Sequence, residues 1–191
     1  MRKHGNPDLS VWRSWGPGQG FAFAEEMEGL SLRKYGTILE GRKLRPPLPT
    51  IVYGGFSGGP LPEALAAPGG MLIATKELRA LLESESHARI QFVPVRLRSS
   101  RRSYALANIL ERVDCFDRER SSYRADAEAG GVSKLRHLVL TGVPKEGPEV
   151  FHLEGIEGVI LFRPKLRRLF EERFPSAGHF VPVSKFKIGY L

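Results

Sequence analysis

Shifted along itself by 88 positions, the chain lays GMLIATKELRALLESESHARIQFVPV, residues 70–95, on GVILFRPKLRRLFEERFPSAGHFVPV, residues 158–183, without a gap. Nine of the 26 aligned positions are identical, among them Gly70 with Gly158, Leu78 with Leu166, Arg79 with Arg167, Glu83 with Glu171 and the whole FVPV. Two copies of one local pattern must each find a place in the core, and that narrows the folds open to the chain. Duplication of one unit and two separate solutions to one packing problem would both leave such an echo.

Each copy has the same grammar. An apolar run, MLIA or VILF, leads to a helix start, with Thr75 suited to the N-cap in the first copy and Pro164 to the first helical position in the second. Leu78, Leu81 and Leu82 follow at i, i+3 and i+4, as do Leu166, Leu169 and Phe170, so each short helix has one apolar face. A turn and a strand ending in FVPV close the unit. The proline there removes a ladder donor and argues for an edge or a strand end.

Between the copies, YALANILERVDCF (104–116), KLRHLVLTGV (134–143) and EVFHLEGI (149–156) read as strands, the last two as a hairpin around VPKEGP. The fold class is therefore α+β, a mainly antiparallel sheet with two short helices from two similar strand-helix-strand units. Residues 1–68 read as a Gly/Pro-rich segment of short strands and loops, with a short ordered element in SLRKYGTILEGRKL and a strand in TIVYGGF; residues 69–191 form the α+β part of one compact domain.

Charge bears on partners. With 29 Lys and Arg against 21 Asp and Glu, the net charge is +8 and the pI is near 9.9, which suits an acidic partner, either nucleic acid or an acidic protein surface. The densest cluster is RLRSSRR, with Arg96, Arg98, Arg101 and Arg102 on one turn; only Tyr104 supplies the aromatic interleaving that single-strand binders use. No apolar run is long enough to cross a membrane and the start lacks a signal-peptide core, so a cytoplasmic protein is expected. The single cysteine, Cys115, forms no internal disulfide and fits a reducing compartment.

Three stretches invite a catalytic reading. In VDCFDRERSSY, Asp114 and Asp117 are three residues apart, but no third metal ligand stands at a recognisable spacing, and the aspartates suit a turn paired with Arg118 or Arg120. Cys115 lacks an adjacent base and reads as a small packed side chain. GFSGGP satisfies G-x-S-x-G through Gly55, Ser57 and Gly59, yet Pro60 and Pro62 follow where a nucleophile elbow needs a helix, and His4 with Asp8 is the only upstream pair for a protease order, so a flexible loop is expected. The histidines His4, His87, His137, His152 and His179 show no ligand spacing; His137 and His152 would face each other across the proposed hairpin, with Glu154 nearby. No metal or cofactor motif emerges.

The runs GGMLIATKELRALLE, FVPVRL, SYALANILERVDCFDRERS, LRHLVL and VFHLEGIEGVILFRPKLRRLFEE, in that order, resemble bacterial polymorphic-toxin immunity-protein family eleven, over residues 70–183. The strand with Asn108 leading into Asp114, Asp117 and Ser121 carries most of the resemblance. It implies a non-enzymatic protein, made beside a secreted or contact-delivered toxin, which binds that toxin and protects the producer and its kin. The signature residues Asn108, Asp114, Asp117 and Ser121 are then a structural corner, and the partner is a cognate toxin.

Loop residues with no core reason to exist are the candidate contacts: Arg96, Arg98, Arg101, Arg102, and Phe56 with its glycines. The alternatives are a basic nucleic-acid-binding module, which rests on the pI and the arginine turn, and an uncatalogued enzyme using Asp114 and Asp117 with His137 or His152.

Overall fold

The computed structural model describes residues 8–13, 23–57, 63–98, 100–125 and 131–189. In chain order the elements are β1 (Ser10–Arg13), β2 (Phe23–Glu28), α1 (Leu32–Leu39), β3 (Ile51–Ser57), β4 (Ala64–Ala67), β5 (Met71–Thr75), α2 (Lys76–Glu85), β6 (Ile90–Leu97), β7 (Tyr104–Ile109), β8 (Arg112–Val113), β9 (Ser122–Ala125), β10 (Val132–His137), β11 (Val150–Leu153), β12 (Ile160–Phe162), α3 (Pro164–Arg173) and β13 (His179–Pro182).

Alternation along β6 buries Gln91, Val93, Val95 and Leu97 on one side and leaves Pro94 and Arg96 exposed on the other. That face turns inward into a closed barrel of order β2-β3-β6-β7-β5-β4. Ile51, Tyr53, Leu65, Met71, Ile73 and Leu106 complete the lumen with the β6 residues. Helix α1 starts at Ser31, whose hydroxyl accepts the Lys34 N–H, and ends at Gly41, which has φ +63°. The Gly41 N–H bonds to the Ile38 carbonyl and the Arg42 N–H to that of Thr37, a Schellman turn that only a left-handed residue completes readily. It sends the chain back so that Ile38 and Leu44 join the barrel's apolar contents.

A second sheet of order β13-β1-β12-β11-β8 lies beyond α2 and α3. Ile160 and Phe162 face the two helices and the outside of the barrel, while Leu161 faces the opposite cluster with Phe151, Leu153, Phe116 and Leu135. The β9–β10 hairpin covers that far side. Of the strand pairings among the described residues, eight of eleven are antiparallel, in keeping with an α+β class and a mainly antiparallel arrangement.

Residues 70–95 supply β5, α2 and β6, and residues 158–183 supply β12, α3 and β13. In neither stretch do the two strands touch: β7 lies between β5 and β6, and β1 between β12 and β13. The registers correspond as well. Ile73 and Val93 both pair with Leu106, and their counterparts 88 positions on, Leu161 and Val181, both pair with Val11. Thr75 caps α2 by accepting the Leu78 N–H, and Pro164 opens α3.

Several expectations are corrected. A third helix, α1, is present. The run 104–116 is broken: β7 leaves the barrel after Ile109, and Arg112–Val113 joins the second sheet beside His152–Leu153. The hairpin around VPKEGP does not form. Val150–Leu153 is buried throughout and takes a central place between β12 and β8, whereas Ser133, Lys134, Arg136 and His137 of β10 are exposed and that strand pairs with β9. Pro182 does end an edge strand. Pro94 lies inside the barrel wall, one residue before the β3 pairing begins at Ile51 and Val95, so its missing donor breaks no ladder bond on that side.

Gly55, Phe56 and Ser57 are the end of strand β3, opposite Glu25, Ala24 and Phe23, not part of a loop, and a nucleophile elbow is excluded there. Residues 58–62, including Gly59, Pro60 and Pro62, lie outside the described residues, as does His4.

Candidate partner-binding surface

The four arginines of the expected contact turn have different fates. Arg98 is tied to Glu28 of β2 across 2.6 Å, and its N–H bonds to the Tyr53 carbonyl. Arg102 donates its N–H to the Ser100 hydroxyl, and its side chain bonds to the Tyr104 phenol. Burial raises the pKa of that phenol, and Arg102 opposes part of the rise. Arg96 and Arg101 are exposed and make no ion pair among the described residues. Phe56 has its backbone in β3, and its side chain is outside the described set.

Beside this turn runs a groove of about 520 Å³, whose floor is Ala74, Ala105 and Pro94 and whose wall is the α2 face carrying Lys76, Arg79, Ala80 and Glu83. It continues past Thr75 and Ser103 into a second hollow of about 370 Å³ bordered by Glu63, Glu77, Arg102 and Arg173. The Arg79 guanidinium lies 4.7 Å from the centroid of the Phe92 ring and 2.9 Å from Glu83. Cation–π contact and ion pair together fix it flat against the groove side.

Three of the four expected signature residues, Asn108, Asp117 and Ser121, bond to backbone. Asn108, 1 % exposed, donates to the Arg42 carbonyl (2.9 Å) and to Gln91 Oε1 (3.3 Å). Gln91 in turn bonds both backbone groups of Leu44, accepting at 2.8 Å and donating at 2.9 Å. This buried amide pair pins the chain after α1 onto the barrel. Asp117 accepts the Arg120 N–H at 2.9 Å, with the Arg120 guanidinium 3.7 Å away. The Ser121 hydroxyl bonds Val139 twice, accepting its N–H and donating to its carbonyl. Asp114 is exposed.

The residues of the catalytic alternative do not converge. His137 is exposed on β10 and pairs with Ser122. His152 is buried in β11 with its pKa lowered to about 4, by burial first and then by Arg112, while a backbone hydrogen bond with Val159 opposes them. Glu154 is held by Arg112 at 2.7 Å, and that arginine also donates to the Leu39 carbonyl. Cys115 is buried and its thiol pushed up to about 11, by burial and then Asp114, against a smaller effect of Arg163. Among the described residues no group of three His, Cys, Asp or Glu side chains could hold a metal ion, and no helix is long and apolar enough to cross a membrane.

Two features escaped the sequence reading. Gln91 is a polar residue at an inward position of β6, which alternation alone marks as a lumen group in need of a partner. The groove has a subtler signal: within the echo, Ala74 stands against Phe162.

A family model described as Immunity protein family (Imm11) matches residues 13–142, about two thirds of the chain. The chain belongs to the Imm11 immunity protein family. No curated protein matches it. The matched stretch reaches further toward the N-terminus than the resemblance over 70–183, taking in β2, α1, β3 and β4, and it stops before β11. It contains the groove's α2 wall, the arginine turn, Asn108, Asp117 and Ser121; the second copy of the echo lies outside it.

Proposed function

We propose that this member of the family binds and neutralises a cognate bacterial toxin, protecting the producing cell and its kin from inside that cell. Family membership carries the reading. The surface supports it: Arg96 and Arg101 project from the barrel beside an unfilled groove, and arginines with adjacent apolar hollows are what a specific inhibitor interface uses as anchors. Such an interface buries on the order of 1,600 Å², and charge steers its formation. Inhibition by occupation asks for no catalytic residues or cofactor. Asp117 fits a structural part, since it is engaged with the turn it caps.

The test is co-expression with the product of the neighbouring gene, scoring host growth and co-purification together. Rescue with a stable complex is expected; neither rescue nor complex would overturn the reading. The second reading, nucleic acid, rests on the +8 charge and the same arginines. It requires binding to duplex or single strands that falls steeply with salt, because phosphate contacts release counterions.

A further inference from the structure

The groove between α2 and the β6–β7 wall is explained by the chain's own second copy. Under α3, Phe162 packs edge-on against Phe180, with ring centroids 5.0 Å apart, and against Phe170 at 5.7 Å. The positions 88 earlier are Ala74, Phe92 and Leu82. Phe92 therefore stands where Phe180 does, without the ring that Phe162 supplies. On the helix, Ala80 stands where the second copy carries Arg168, and on the middle strand Ala105 stands where Ser10 does. Ala74 on the floor and Ala80 on the wall carry only a methyl group where the second copy carries Phe162 and Arg168. The result is the 520 Å³ hollow in one unit and a filled aromatic cluster in the other.

Ala74 and Ala105 are buried, but Phe92 is half-buried and Pro94 exposed along the groove, apolar surface that a packed neighbour would cover. The rim says which kind of neighbour. Lys76, Arg79, Arg102 and Arg173 line the two joined hollows against Glu63, Glu77 and Glu83. Two of those carboxylates are engaged, Glu83 by Arg79 and Glu63 by the Ser176 hydroxyl at 2.9 Å. Arg96 lies two residues along β6 from Pro94, on the same outward face, and Arg101 precedes Arg102 in the turn, so the field over the groove is positive.

The geometry points to one occupant: an extended segment of the cognate toxin that places an aromatic or branched apolar side chain over Ala74 and Ala105, against Phe92, with an Asp or Glu beside it facing the arginines. The apolar side chain would restore the packing that Phe162 gives the second unit. The carboxylate would meet Arg96 or Arg101, since Arg79 is already held by Glu83. This rests on the immunity reading above and names the surface that performs it.

The experiment fills the groove from its exposed wall. Ala80→Trp places an indole in the hollow without replacing a buried residue, and Glu172→Trp, on the exposed side of α3, is the matched control. Affinity for the neighbouring gene's product is measured by calorimetry, with thermal melting and sedimentation of each variant alone. The expected result is a loss of at least about tenfold for Ala80→Trp, none for the control, and unchanged melting in both. Overlapping peptides spanning the toxin should then include one that binds wild type but not Ala80→Trp, with an apolar residue next to Asp or Glu.

If wild type and Ala80→Trp bind equally, the groove assignment falls and the immunity reading stands. If wild type does not bind, both fall. If wild type sediments as a dimer that Ala80→Trp dissociates, the groove belongs to a second copy of the chain and the proposal is overturned.

Discussion

Gly70 and Gly158, 88 residues apart and equivalent in the echo, meet back to back. A Cβ on Gly70 would stand 2.9 Å from the Gly158 Cα, and one on Gly158 would stand 2.5 Å from the Gly69 carbonyl oxygen. Both have φ near +70°, at 72° and 68°. Each opens its unit's first strand, so the contact joins barrel to second sheet at corresponding points. The helices carry the same relation: Lys165 near the start of α3 reaches Glu85 at the end of α2 at 3.2 Å, and the counterpart positions, Glu77 and Arg173, both border the smaller hollow.

Gly158→Ala should therefore be costly in two ways, a left-handed backbone unsuited to alanine and a methyl group driven into backbone that cannot yield. The strain alone is about 1–3 kcal/mol. Chemical denaturation should show a lowered midpoint, whereas Gly142→Ala, also at positive φ but in open space, isolates the backbone contribution. Equal losses in the two variants would remove the contact from the account.

Asn108 and Gln91 link the chain after α1 to the barrel through buried bonds to Arg42 and Leu44. Asn108→Ala removes a buried donor from the Arg42 carbonyl and from Gln91 Oε1 and should destabilise by about 1–3 kcal/mol. Because the segment it holds follows α1, hydrogen exchange should rise first over residues 41–45 and not in β11 or β12. Uniform acceleration across the protein would show instead that the amide pair serves the barrel as a whole.

What the sequence made legible was local and periodic. Leu78, Leu81 and Leu82 declared the buried face of α2, and Thr75 and Pro164 marked helix starts, because caps and 3.6-residue spacing act within one turn. The barrel was not legible, since its closure depends on a parallel pairing of Phe23 with Ala66 and of Ile51 with Val95, between strands whose sequences do not name their partners. The false hairpin failed for the same reason: proximity in sequence favoured 134–143 with 149–156, while the apolar VFHL required burial on both faces. The arginine turn could be found by charge. That Arg98 answers Glu28 while Arg96 and Arg101 are exposed is decided by which strand lies alongside.

His152 makes stability pH-dependent. Its pKa is about 4 in the folded protein against 6.5 for the free side chain, so between those values the unfolded chain takes up a proton that the folded one does not. Stability contributed by keeping this ring neutral is present above pH 6.5 and is lost as pH falls toward about 4, by up to roughly 1.4 kcal/mol per pH unit. His152→Gln keeps an N–H donor and cannot charge. Its stability should vary less than wild type between pH 7 and 4 in urea titrations at several pH values. Parallel curves would mean that the ring is not held neutral by the fold.

Arg96 and Arg101 can be reversed without breaking an ion pair among the described residues, whereas reversing Arg98 would break its ion pair with Glu28 and reversing Arg102 its hydrogen bond to the Tyr104 phenol. The double variant Arg96→Glu, Arg101→Glu should therefore melt as wild type does. Exposed charges at the edge of an interface act mainly on the rate of encounter. Association with the toxin, followed by stopped flow, should slow by about tenfold or more at low ionic strength, with dissociation little changed. The difference should shrink as salt rises toward 1 M, where the screening length is only about 3 Å. An association rate equal to wild type at every salt concentration would remove this turn from the interface, whatever the groove beside it does.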